Sequence, residues 1–154
     1  MSSQTIIIRY IKYALQTNSL GVLATEGNGQ PHACFVAITP MDDFVNLVFA
    51  TYRNTHKYNN LINNGKVAIL FENRSTKSLS EPDTTVVTAF GNAVEIDSSV
   101  SDTARNLHLL KHPELEPFLL SANCALFKVH VNSYQVVSGI DEINWWTPDY
   151  LETM

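Results

Sequence analysis

The stretch from Leu20 to Thr51 leaves this chain little choice of fold. Three apolar or β-branched runs, Leu20–Thr25, Pro31–Thr39 and Phe44–Thr51, follow one another with only short breaks. The first break, Glu26-Gly27-Asn28-Gly29-Gln30, has glycines to supply positive φ; the second is Pro40-Met41-Asp42-Asp43. Parallel strands need a crossover of about a dozen residues or more, so connections this short predict antiparallel pairing. Three later runs also read as strands: Val67–Phe71, Thr84–Ile96 and Cys124–Val137. Gly91, inside the second of them, predicts a bulge or a close backbone approach.

Helical spacing accounts for the remainder. Ile7, Ile8, Ile11, Ala14 and Leu15 recur after the cap candidates Ser3 and Thr5, and Asn18 and Gly21 are expected to end that helix. Tyr58, Leu61 and Ile62 share one face of a short helix stopped by Asn63-Asn64-Gly65. Ser98–Lys111 reads as a third helix, ending at His112-Pro113, and a further turn carries Leu115, Phe118 and Leu119. Glu72–Asp83 is a polar loop. About six strands with helices outside predict a small antiparallel barrel, because closure removes exposed edges; a flat α+β sandwich also fits. One domain over residues 1–154 is expected.

Charge narrows the partners. The net charge is −5, which argues against nucleic acid or an anionic membrane as the main partner. A small anionic ligand needs only local positive charge and stays open. Charged residues are only 16% of the chain, a hint that a partner chain covers some surface. The run Ile6-Ile7-Ile8 is cut by Arg9 and Lys12, too short for a membrane span or a signal peptide. Cys34 and Cys124 lie far apart without CxxC spacing and read as reduced thiols, so a cytoplasmic location is expected.

The most informative segment is Thr51-Tyr52-Arg53-Asn54-Thr55-His56-Lys57, where an apolar strand ends and a helix begins. Thr55 is a good N-cap, and the unpaired N–H groups of a first helical turn carry positive partial charge. Arg53, His56 and Lys57 concentrate cationic donors there, and Thr51 and Thr55 add hydroxyls. Such a set suits a phosphate monoester. The same residues also fit a capped helix whose basic side chains face solvent.

Other signals carry less. His108 and His112 stand four apart, a spacing that can chelate zinc, but with no evident third ligand; histidines at a helix C-terminus, favoured by its dipole, are the simpler reading. His32 and His130 are isolated on strands and read as packing or hydrogen-bonding groups. Cys34 reads as a buried inert thiol. Asp42-Asp43, Asp141-Glu142 and the Glu114/Glu116 pair read as turn or surface acids. No GxSxG, Walker or GxGxxG pattern occurs, so hydrolase, P-loop and Rossmann chemistry lack support.

Leu47 to Leu61, with its apolar strand end followed by Thr51, Arg53, Thr55, His56 and Lys57, resembles the strand–turn–helix motif of the pyridoxamine 5′-phosphate oxidase-like flavoproteins. Gly29-Gln30-Pro31-His32, Val67–Ser75, Gly91-Asn92-Ala93, Lys111-His112-Pro113 and Tyr134-Gln135-Val136-Val137 resemble the same family in order and spacing, over roughly residues 6–138. The resemblance implies a mainly β fold, a six-stranded antiparallel split β-barrel with peripheral helices. It also implies FMN held at a homodimer interface, and a flavin-dependent oxidoreductase acting on a small molecule. By that likeness Thr55, His56 and Lys57, with Arg53, hold the phosphate, while Cys34, Phe35, Val36, Ala50 and Thr51 border the ribityl chain and ring.

His56 stands where the family usually has arginine, which implies weaker, pH-dependent phosphate binding, because imidazole lacks the guanidinium fork. The oxidase's Arg-x-His substrate signature is absent near the C-terminus, which argues against vitamin B6 oxidation. The implied donor is a reduced nicotinamide or another flavin system, and the implied acceptor a nitroaromatic or an unassigned metabolite. An FMN carrier without enzymatic activity, and a haem- or deazaflavin-binding relative, fit the same motifs. Asn73-Arg74-Ser75 either reaches the cofactor or solvates a turn, and Trp145 and Trp146 either pack in a core or interface or cover the flavin.

Overall fold

The computed structural model describes residues 3–41, 44–73, 85–97, 101–139 and 142–148. Asp42-Asp43, Arg74-Ser75, Asp141 and the first residues of the expected third helix lie outside them. In chain order the elements are α1 (Ser3–Thr17), β1 (Leu20–Gly27), β2 (Gln30–Ala37), β3 (Thr39–Pro40), β4 (Asn46–Tyr52), α2 (His56–Asn63), β5 (Lys66–Asn73), β6 (Thr85–Glu95), α3 (Ser101–Lys111), α4 (Glu116–Leu119), β7 (Cys124–Ser138) and β8 (Glu142–Trp146). A 3-10 turn, Pro113–Leu115, joins α3 to α4.

The six long strands are the six expected, all pairing antiparallel, and the short β3 and β8 join them. Their hydrogen-bonded path runs β2-β1-β5-β6-β7-β4-β3, with β8 beside the far end of β7. The sheet curls into a half-barrel instead of closing, because β2 at one end and β3 at the other remain edges. The β1–β2 turn has Asn28 at φ 53° and Gly29 at φ 81°, the pair of positive φ values that a tight two-residue hairpin demands.

Gly91 fulfils the expectation placed on it. The β6–β7 register shifts between Phe90 and Gly91, and a Cβ at Gly91 would lie 2.1 Å from the His130 carbonyl oxygen. Gly21, in contrast, is no helix stop: it sits in β1, where a Cβ would meet Ile69 and Phe71 at 2.9 Å. α1 ends instead where the Asn18 side chain donates to the Ala14 carbonyl (2.8 Å).

The concave face of the sheet holds the main core. Leu23, Ile69, Phe71, Phe49, Phe127 and Tyr134 are fully buried there under Ile7, Ile11 and Leu15 of α1, and Trp146 closes one end. A second, smaller core forms where Ala104 of α3 and Leu119 of α4 cover Val48, Ala50 and Leu126 on the other face of β4 and β7. Lys111 ties these parts together. Its ammonium donates to the carbonyls of Leu15 (2.9 Å), Asn18 (3.0 Å) and Ile38 (2.9 Å), so one cation serves the orphan carbonyls at the end of α1 and the β2–β3 link. Burial pushes its pKa down.

One sheet face carries no described helix. Cross-strand pairing aligns Phe35, Val22, Leu70, Thr88, Gln135 and Trp145 in one row and Ala33, Ala24, Ala68, Phe90 and Ser133 in the next. None of these belongs to either core, and Phe35 is 71% and Trp145 53% exposed. Trp145 meets Phe90 of this face at a tilt, ring centroids 5.6 Å apart, while Trp146 packs inward against Phe44 and Tyr134.

Candidate functional site: the cleft beside the start of the second helix

β4 and α2 meet in a turn whose geometry follows from Thr55. Its backbone is extended, and its hydroxyl accepts from the Tyr58 amide (3.1 Å) and donates to the Tyr52 carbonyl (2.8 Å). The Thr51 hydroxyl lies 3.1 Å from it. Thr55 is therefore the N-cap expected, and it leaves the amides of the first two helical residues, His56 and Lys57, without an intrahelical acceptor.

Beside this helix start opens a cleft of about 490 Å³ between β2, β4, α3 and α4. Of the expected site residues, Phe35, Val36, Ala50, Thr51, Thr55 and Lys57 line it together. No described carboxylate pairs with Lys57. Cys34 is a half-buried neighbour in β2 packed on the main core, its side turned from the cleft lining. His56 is exposed, its ring 5.8 Å from that of His32, whose Nδ1 is buried with no described partner.

Arg53 goes elsewhere. Its guanidinium holds Glu95 at 3.1 Å, and Glu95 also accepts from the Tyr58 hydroxyl at 2.7 Å. That hydrogen bond to a carboxylate raises the Tyr58 pKa. Arg53 and Glu95 line a second cavity of about 460 Å³ with Asp97, Arg105 and Cys124. Burial raises the Cys124 thiol pKa, so it is no activated nucleophile.

The far end of the cleft is built from residues whose role the sequence did not disclose: Leu20, Ala37, His108, Leu115 and Phe118. Phe118 meets Tyr52 edge to face at 4.7 Å. His108 is fully buried, with Nδ1 2.6 Å from the Thr39 hydroxyl. Burial, and the neighbouring His112 and Lys111, push its pKa down to about 4. His112 is buried as well, with Nε2 3.0 Å from the Ile38 carbonyl. Both histidines thus stand at the helix end, as expected, but buried: α3 turns them inward against the β2–β3 link. His130 meets Asn46 at 3.3 Å, a hydrogen-bonding role as expected. Only the periodicity of α3, with His108 on the side of Ala104, held a hint of the first.

A half-barrel sheet with a capped helix start beside an apolar cleft defines a split-barrel protein. The family model described as pyridoxamine 5′-phosphate oxidase matches residues 9–111 of the 154, and the chain belongs to that family. No curated protein sequence matches it. Among solved structures it is similar to a haem-binding protein from Mycobacterium smegmatis (TM-score 0.80, 21% identity, 96% of this chain and 59% of that one). It is similar to an FAD-binding protein from Mesorhizobium loti (0.66, 19%, 88% and 94%). A third is a Clostridium acetobutylicum protein related to general stress protein 26, of the pyridoxinephosphate oxidase family (0.72, 10%, 97% and 99%). The chain spans about three fifths of the haem-binding relative, and at these identities the likeness is one of fold. Among the described residues no helix is long and apolar enough to cross a membrane.

Proposed function

We propose that the chain is an FMN-dependent oxidoreductase acting on a small molecule, as a homodimer in the cytoplasm. The observation that carries this reading is the polarity of the cleft. One cation with no described carboxylate partner, Lys57, sits beside a capped helix start at one end, and an apolar, aromatic-lined passage leads away from it. FMN has the matching make-up, a single phosphate joined by a polar chain to a flat ring. Lys57 and the first-turn amides of α2 would hold the phosphate, with Thr51, Thr55 and His56 beside them. Phe35, Val36 and Ala50, with Cys34 behind, would border the ribityl chain and ring. Arg53 would join them only if it left Glu95. FMN when bound would supply hydride or single-electron transfer; the chain anchors its phosphate and keeps water from its ring.

The bare rows on the sheet support the homodimer. A half-exposed, mostly apolar face with no described helix over it is costly to leave in water, and a two-fold contact buries it on both copies at once. Haem is the second reading, favoured by the haem-binding relative and by exposed His56 beside the cleft. A flavin carrier without turnover is distinguished by its reduced form passing electrons only to oxygen.

The visible absorption spectrum of purified protein, with and without added FMN, tests this reading. A two-band flavin spectrum, with FMN released on denaturation, is expected. A protein that stays colourless with FMN, or that shows a Soret band with haem alone, would overturn it.

A further inference from the structure

The second cavity, about 460 Å³ and close to the cleft in size, has no part in the flavin reading. None of the described residues that line the cleft lines this cavity. Its frame is fixed by the backbone. The Arg53 amide donates to the Asn123 carbonyl and the Ile96 amide to the Leu126 carbonyl, both at 2.8 Å, which ties the ends of β4 and β6 to β7. Ile96 and Leu126 give the lining an apolar part, while Arg53, Arg105, Glu95 and Asp97 bring charges of both signs.

The two arginines are in different states. Arg53 is spent on Glu95 at 3.1 Å, and the other oxygen of that carboxylate accepts from the Tyr58 hydroxyl at 2.7 Å. Arg105 is held through Nη1 alone, by Asp102 at 3.1 Å. The Asp102 side chain is 84% exposed and three positions away on the same helix, and such pairs contribute little in water. Nε of Arg105 is buried with no hydrogen-bond partner, and Nη2 has no described one. These two nitrogens form the side-on edge of the guanidinium, which takes both oxygens of one carboxylate. A buried N–H left unpaired is costly, so a carboxylate on that edge relieves a cost as well as forming a bond. The weak tether to Asp102 leaves the side chain able to make the small turn that presents this edge to the cavity.

Charge selects the rest of the ligand. Glu95 and Asp97 stand two positions apart at the end of β6, on the same lining. A purely anionic molecule would desolvate against these carboxylates, and a purely cationic one against the guanidiniums. A molecule carrying both charges finds a complement for each, and an apolar side chain gains burial on Ile96 and Leu126. We infer that this cavity is a binding site for a small zwitterion of the amino-acid type, with its carboxylate on Arg105 and its ammonium toward Asp97 and Glu95. The site stands apart from the flavin reading and does not depend on it.

The test is isothermal titration calorimetry of the full chain with L-leucine and L-phenylalanine, each set against its N-acetyl and methyl ester forms. At least one free amino acid is expected to bind, and its blocked forms, each lacking one charge, at least about tenfold more weakly. Arg105→Gln is expected to weaken the free amino acid by about tenfold and to leave the ester, which has no carboxylate, unchanged. Asp97→Asn is expected to remove most of the preference over the N-acetyl form. A thermal melt of each variant separates a lost contact from a lost fold. Neither amino acid binding at millimolar concentration, equal binding of the three forms, or binding unchanged in a folded Arg105→Gln variant would each overturn the inference, whether or not the protein takes up FMN.

Discussion

Arg53 and Lys57 stand four positions apart in one short segment, yet they belong to different parts of the molecule. Arg53 leaves the end of β4 on the side of β6 and spends its charge on Glu95. Lys57 lies in the first turn of α2 and faces the cleft with no described carboxylate beside it. Glu95 makes the difference. Its carboxylate collects Arg53 and the Tyr58 hydroxyl, pinning the outer side of α2 to β6 and leaving the inner side to Lys57. A cluster of basic residues in sequence is therefore not a cluster in space, and a cation with no described partner in an apolar cleft says more about ligands than the count of cations around it.

The comparison holds only while His108, at the other end of the cleft, stays neutral. Its pKa is lowered to about 4 in the folded chain, against an ordinary value of 6.5. Between those values the unfolded chain binds the extra proton. Stability is full above about pH 6.5 and falls as pH drops toward 4, with a total loss on the order of 3 kcal/mol. Urea unfolding measured across that window checks this, and His108→Gln is expected to flatten the acid limb.

Substitution of the two cations gives the next effect. Lys57→Ala is expected to cost about 2 kcal/mol of FMN binding, roughly thirtyfold in Kd, because a charge-assisted contact to phosphate is lost. Arg53→Ala is expected to leave FMN affinity within about threefold, the yield when an ion pair facing another cavity is removed. Fluorescence titration reads both. If Arg53→Ala weakened FMN as much as Lys57→Ala, the division drawn between the two residues would fail.

Thr55→Ala removes the cap on which the α2 start depends and is expected to cost about 1 kcal/mol of folding stability, with a parallel loss of FMN affinity. Arg53→Ala, as a partly exposed ion pair, is expected to cost less than about 1 kcal/mol of stability, and less still at high salt. Thermal melts at two salt concentrations separate them.

Much of the scaffold was legible in the sequence because its signals are local. The six long strands have strong β-branched runs, the Asn28-Gly29 turn has its own φ requirement, and Gly91 announces the bulge that His130 enforces. β3 and β8 were not legible: two residues, one of them proline, and five residues after a turn, carry too little periodicity. The cleft was half legible. Residues of β2, β4 and α2 line it as a contiguous motif does, but Leu20, His108, Leu115 and Phe118 reach it only through tertiary packing. His108 is instructive, because its place in the last turn of a helix does not say which way it faces, and the fold turns it inward. The fate of Arg53 depended on Glu95, 42 positions away, which no local pattern could supply.

The most direct test of the central claim is the affinity of FMN relative to riboflavin, measured by fluorescence titration in the wild-type protein and in Lys57→Ala. The two ligands share the ring and chain and differ only in the phosphate. If Lys57 and the start of α2 form the phosphate site, the wild-type protein prefers FMN by roughly thirtyfold or more and the variant loses most of that preference with riboflavin binding unchanged. A preference for FMN that survives Lys57→Ala intact would contradict the account.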